Sequence, residues 1–195
     1  TLNYEDVTNI DSVGIITARS NVSIADSIIH TGDTDTSIRF PAAGTFTVST
    51  DGNERLRVTS GGGIHFNNGE LIEKAKVTAG KLSDNANIDL ENGMVHLFTT
   101  AESTTSTPNL RINSSTSLNS VMATGDTIAV TIITTAAAAG YSAQLTIDGS
   151  AVTENWVGGS APSSGGSSGV DIYNYTIIKT ADATFTVVAN YTATS

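Results

Sequence analysis

The chain contains no cysteine among its 195 residues. That absence excludes a disulfide framework, cysteine-ligated metal sites and a thiol nucleophile, and it leaves the redox compartment unread. Charge is scarce as well: Asp, Glu, Lys and Arg make up 14% of the chain, against about a quarter in ordinary globular proteins. Basic residues are the scarcer sign, with 9 Lys and Arg against 19 Asp and Glu and a net charge of −10. Such a chain is repelled by phosphate backbones, which are bound by clustered Lys and Arg, so the composition argues against nucleic acid and anionic membrane surfaces as partners. No apolar run approaches the roughly 20 residues that span a bilayer, and no basic stretch followed by an apolar one marks a signal peptide. Membrane insertion is not expected. The chain opens at Thr1, which fits either a processed initiator Met or a piece of a longer protein.

Thr, Ser, Ala, Gly and Asn fill the space that charge leaves, and short apolar bursts are set among them. Over the first third these are "GIITA" from residue 14, "SIIH" from 27, "SIRF" from 37, "FTV" from 46, "LRV" from 56 and "IHF" from 64. Turn formers separate them, including "HTGDTDT", "PAAG", "TDGN" and "SGGG", each able to reverse a strand. The spacing predicts a β-meander or β-coil of short strands over residues 1–69. Strands this short bury little area per chain. They need partners, and identical copies wound around a threefold axis would cover each apolar face and pair each open edge. In that arrangement Ile38, Phe40, Phe46, Val48, Leu56 and Val58 face the shared axis, while Arg39, Glu54, Arg55 and Arg57 point outward or pair across subunits.

Residues 70–85 read as a connector. "GELIEKAKVTAGK" carries Glu70 and Lys74 at helical i, i+4 spacing, yet "KVTAG" reads equally well as a strand. From residue 86 to 195 the strands become longer: "MVHLFTT" from 94, "TIAVTIITT" from 127, "SAQLTIDG" from 142, "VDIYNYTIIKT" from 170 and "ATFTVVANYTAT" from 183. Ile128, Val130 and Ile132 fall on one face, as do Phe185, Val187, Ala189 and Tyr191. The expectation is an all-β chain, with a trimeric short-strand shaft or meander followed by an antiparallel β-sandwich head, jelly-roll-like, that closes its own core.

Chemistry-bearing patterns are sparse. His30, His65 and His96 each sit inside an apolar burst with no paired ligand at metal-site spacing, so they read as strand residues. Asp33 and Asp35 in "GDTDTS" resemble the first two positions of a calcium loop but lack its Gly and terminal Glu; a tight turn is the better reading. The run "GGSAPSSGGSSG" (158–169) lacks the Lys of a phosphate cradle and any G-x-S-x-G elbow, and reads as a long mobile loop. Trp156 beside it could stack on a sugar ring, with Tyr141 and Tyr173 as exposed neighbours, or pack at the loop base. No catalytic residues, no metal site and no cofactor are expected. Polysaccharide cleavage would need paired carboxylates, and Asp126, Asp148, Glu154, Asp171 and Asp182 sit mostly beside turns or in strand flanks.

Two long stretches resemble a known group. "NYEDVTNIDSVGIITARS" with "DSIIHTGDTDTSIRFPAAGTFTVSTDGNERLRVTSGGGIHF" is similar to segments of tail-fibre and other virion structural proteins of marine tailed phages that infect cyanobacteria and oceanic bacteria. "AGKLSDNANIDLENGMVHLFTTAESTTSTPNLRINSSTSLNS" and "TIITTAAAAGYSAQLTIDGSAVTENWVGGSAPSSGGSSGVDIYNYTIIKT" resemble a module at the C-terminal end of such proteins. The resemblance implies a virion structural role, assembly in the host cytoplasm and residence on the particle surface. It implies other virion proteins as partners and supplies no catalytic residues.

The expected function is therefore a virion structural protein, a homotrimeric tail-fibre or fibre-like component whose C-terminal domain contributes to host attachment. The alternatives are a purely structural capsid or tail decoration protein, and an adhesin module that binds host cell-surface glycan through Trp156, Tyr141 and Tyr173. A polysaccharide depolymerase is the least supported reading.

Overall fold

The computed structural model describes residues 14–194. The fold is all-β, and the chain separates into two compact units between Leu71 and Ile72.

The first unit is one five-stranded antiparallel meander: β1 (Ser27–His30), β2 (Asp33–Ala42), β3 (Thr45–Thr50), β4 (Asn53–Val58) and β5 (Ile64–Phe66), hydrogen-bonded in chain order. Its turns follow from residue type. Between β3 and β4, Asp51 and Gly52 both take positive φ, 53° and 67°, the two-residue turn whose twist matches a tight hairpin. The "GIITA" burst forms no strand; Ile15 and Ile16 stand 93% and 78% exposed. A short β-branched run needs a neighbouring edge, and none of the described strands pairs with it.

The second unit has two layers. The larger sheet contains β6 (Lys76–Thr78), β8 (Val95–Ala101), β10 (Thr127–Thr135), β13 (Glu154–Trp156), β14 (Val170–Ala181) and β15 (Thr184–Ala193), in the order β13-β15-β14-β10-β8-β6. The smaller contains β7 (Asn87–Asp89), β9 (Asn109–Arg111), β11 (Thr146–Ile147) and β12 (Ser150–Ala151), in the order β12-β11-β9-β7. Ile88, Leu110 and Ile147 of the small sheet join Phe98, Val130, Ile132, Tyr173, Tyr175, Ile177, Val187 and Ala189 of the large one in a single core. Leu118 and Met122 extend it from the short helix α1 (Leu118–Val121) and its C-cap, and Ser117 caps the N-terminus with its hydroxyl, accepting from the Ser120 N–H at 3.0 Å. The alternations read from the sequence hold: Val130 and Ile132 are buried with Ile128 packed beside them, and Val187 and Ala189 are buried between Phe185 and Tyr191.

The sandwich-like fold is mixed rather than wholly antiparallel. The β10–β14 and β14–β15 pairs are antiparallel, but β8 runs parallel to β10, β6 to β8 and β13 to β15. Parallel neighbours require crossovers, and β9 and α1, lying between β8 and β10 in the chain, provide one from the other layer. "SAQLTIDG" contributes only Thr146–Ile147 to a ladder. Ser142 is held by tyrosines instead: its N–H donates to Tyr173 Oη and its Oγ accepts from the Tyr175 hydroxyl, both at 3.2 Å.

Residues 72–85 are part of the second unit rather than a connector, and no helix forms there. Lys76–Thr78 pairs with β8, Leu82 is buried, and the Glu102 carboxylate accepts the N–H groups of Leu82 and Ser83. The strand propensity of "KVT" wins because an edge of β8 is open to it. No helix among the described residues is long and apolar enough to cross a membrane.

Candidate functional site

The first unit presents two unlike faces. The register sets Ile28, Ile38, Val48, Leu56 and Phe66 opposite one another in one row across all five strands. Phe46, Val58 and Ile64 form a second row, and the Phe40 ring centroid lies 5.9 Å from that of Phe46. The edge members stay open, with Ile28 50%, Phe66 59% and Ile64 64% exposed, while Phe46, Val48, Leu56 and Val58 are half-buried. The opposite face carries Arg39, Thr47, Arg57 and His65 in register. Its charges pair within the chain, Arg39 with Asp26 at 2.7 Å and Arg57 with Glu54 at 2.8 Å through Nε, so cross-subunit pairing is not needed to satisfy them. Thr47, between the two arginines, is the one buried residue of this unit among those described.

The residues singled out as ligand contacts do not form a common platform. Tyr173 is 1% exposed and belongs to the core; burial raises its hydroxyl far above the usual tyrosine range. It is not an exposed side chain because it points inward on β14, alternating with the exposed Asn174. Trp156 is half-buried and meets Tyr175 edge-on at 6.3 Å, whereas Tyr173 packs on Tyr191 at 5.1 Å. Tyr141 is half-buried, and its carbonyl accepts the Ser106 N–H at 2.8 Å. The neighbouring glycine-rich loop is anchored within its run: Gly166 is buried and its N–H donates to the Asp171 carboxylate at 3.0 Å. Tyr191 donates to the same carboxylate at 3.1 Å, and burial pushes its hydroxyl up to about 12.

The histidines are dispersed. His30 lies 3.7 Å from Asp33, His65 is exposed on the polar face of the meander, and His96 is buried with Nε2 3.0 Å from the Gly93 carbonyl. Asp33 and Asp35 lie in β2 just past the turn at Thr31–Gly32. Their interaction with each other lowers Asp33 and raises Asp35 from the usual carboxylate value. Among the described residues no group of three His, Asp or Glu is placed to hold a metal.

A polar cleft of about 450 Å³ opens in the second unit, lined by residues of β6, β7 and β8 and the turns beside β7. Strand β7 forms it by alternation: Ile88 and Leu90 turn into the core, while Asn87 and Asp89 line the cleft with Asn85 before them and Asn92 after. Each of these four is oriented through one polar atom. Asn85 Nδ2 donates to the Lys81 carbonyl at 2.9 Å, and Asn87 Oδ1 accepts from Asn109 at 2.9 Å. Asp89 Oδ1 accepts from Arg111 Nε at 2.6 Å, and Asn92 Nδ2 donates to the Asp89 carbonyl at 3.3 Å. Lys76, Thr78 and His96 complete the polar lining, with Phe98 at the base. Burial holds His96 below the usual histidine range, so its ring is neutral at neutral pH. The connector reading of residues 70–85 hid this feature; the period-two alternation of "NANIDL" was its signal. Comparison with protein-family models, with curated proteins and with solved structures gives no match for this chain.

Proposed function

We propose that the chain is a structural protein of a tailed-phage virion that assembles as a homotrimer, in the manner of a tail fibre or fibre-like appendage. The observation that carries this reading is the single-layer meander of the first unit. Among the described residues, every buried apolar side chain lies between Leu82 and Ala189, in the second unit. A sheet that is apolar on one face buries that face against another element. Covering a Val, Leu, Ile or Phe side chain fully contributes about 1.5–3 kcal/mol, and the two rows offer several such side chains already aligned. Identical copies supply matching rows, and threefold closure also protects the open edges of β1 and β5. The extended resemblance of the sequence to virion structural proteins of marine tailed phages supports the biological setting, and the hydroxyl-rich, sparsely charged composition suits a particle surface.

The second unit then acts as the globular head, closed by its own core. Locating the chain in a density map of the intact particle tests this reading. Density for three copies in a tail or capsid appendage is expected; its absence from purified particles overturns the proposal.

A further inference from the structure

The four polar side chains that line the cleft on and beside β7, Asn85, Asn87, Asp89 and Asn92, are oriented by the protein and still reach solvent. Each is fixed by one hydrogen bond, and its second polar atom has no partner among the described residues: Asn85 Oδ1, Asn87 Nδ2, Asp89 Oδ2 and Asn92 Oδ1. Lys76, exposed at the start of β6, lines the same cleft. We propose that this cleft is a binding site for an uncharged saccharide or polyol.

The chemistry selects that class. Three open acceptors and two open donors match hydroxyl groups, each of which both donates and accepts. An anion would meet two amide oxygens and a carboxylate. A hard cation would lack the several oxygen ligands it requires and would face the Lys76 ammonium. The lining carries one cation, Lys76, and one anion, Asp89, the latter also paired with Arg111. The volume falls at the lower end of small-ligand sites. Because the side chains are held by the protein beforehand, little ordering is lost on binding. The site is remote in sequence from Trp156, and it stands independently of the assembly reading.

Protein-observed NMR on the full chain tests it, with glucose, galactose and N-acetylglucosamine as probes and glucuronate and calcium chloride as controls. Saturable binding of at least one neutral sugar is expected, with amide shifts confined to residues 76–78 and 85–98. Asn87→Ala should weaken it by about tenfold or more. Since that change also strips Asn109 of its partner, Asn92→Ala is the second variant, expected to weaken binding with an unchanged unfolding midpoint. No binding of any neutral sugar, preference for glucuronate or calcium, or binding that survives both substitutions overturns the proposal.

Discussion

Phe46 on β3 stands directly opposite Val58 on β4, both half-buried, in the second apolar row of the meander. A carboxylate at that position would lie in the middle of any interface built on this face, where burying an unpaired charge is costly. Phe46→Asp should therefore weaken self-association by about 100-fold or more. Sedimentation velocity reads the loss, and an unchanged near-ultraviolet signal from Trp156 shows that the second unit remains folded.

Lys179 is buried on β14, and its ammonium donates to the carbonyls of Asn119 and Met122 at 2.6 and 2.8 Å, closing the C-terminal end of α1. Lys179→Ala leaves those carbonyls unsatisfied and should cost about 2–3 kcal/mol. Chemical denaturation of the second unit measures it.

Gly165 packs where a methyl group would overlap the carbonyl oxygens of Ala137 and Gly140 and press on the Asp171 carboxylate. Backbone oxygens cannot turn aside as a side-chain end can, so Gly165→Ala should destabilise the second unit by about 2 kcal/mol or more. Ser163→Ala, at an exposed position of the same loop, should change stability by less than about 0.5 kcal/mol.

Glu154 is raised above the usual carboxylate value of 4.5, first by burial, with the Leu145 backbone hydrogen bond opposing. Its Oε1 has no hydrogen-bond partner. The folded state thus prefers the protonated acid, so the stability that Glu154 contributes is fully present below pH 4.5 and is lost as pH rises through the folded value. Glu154→Gln should raise the unfolding midpoint by about 2 °C at neutral pH, with the difference vanishing below pH 4.5. His96 acts in the opposite sense. Its folded value is depressed below 6.5, so its contribution is present above pH 6.5 and is lost as pH falls through the folded value. Scanning calorimetry across pH follows both.

The strands were legible where alternation and turn chemistry agreed. "FTV", "LRV" and "IHF" became β3, β4 and β5 because Asp51 and Gly52 fix the hairpin register, and "TIAVTIITT" became β10 because Val130 and Ile132 alternate into the core. The direction of the strands was not legible. Alternation is identical in parallel and antiparallel ladders, so the β8–β10 pairing depends on a crossover that no local pattern specifies. The ligand contacts were misplaced for a related reason. Tyr173 and Asn174 differ by one position along β14, and which of them faces the core is decided by the partner strands. The cleft stayed hidden because "KVT" is short and lies in a stretch with helical charge spacing.

The mass of the full chain in solution at micromolar concentration, read by multi-angle light scattering, tests the central claim most directly. The assembly account predicts three times the mass of one chain, falling to one in Phe46→Asp. A stable particle of single-chain mass for the unaltered protein would contradict it.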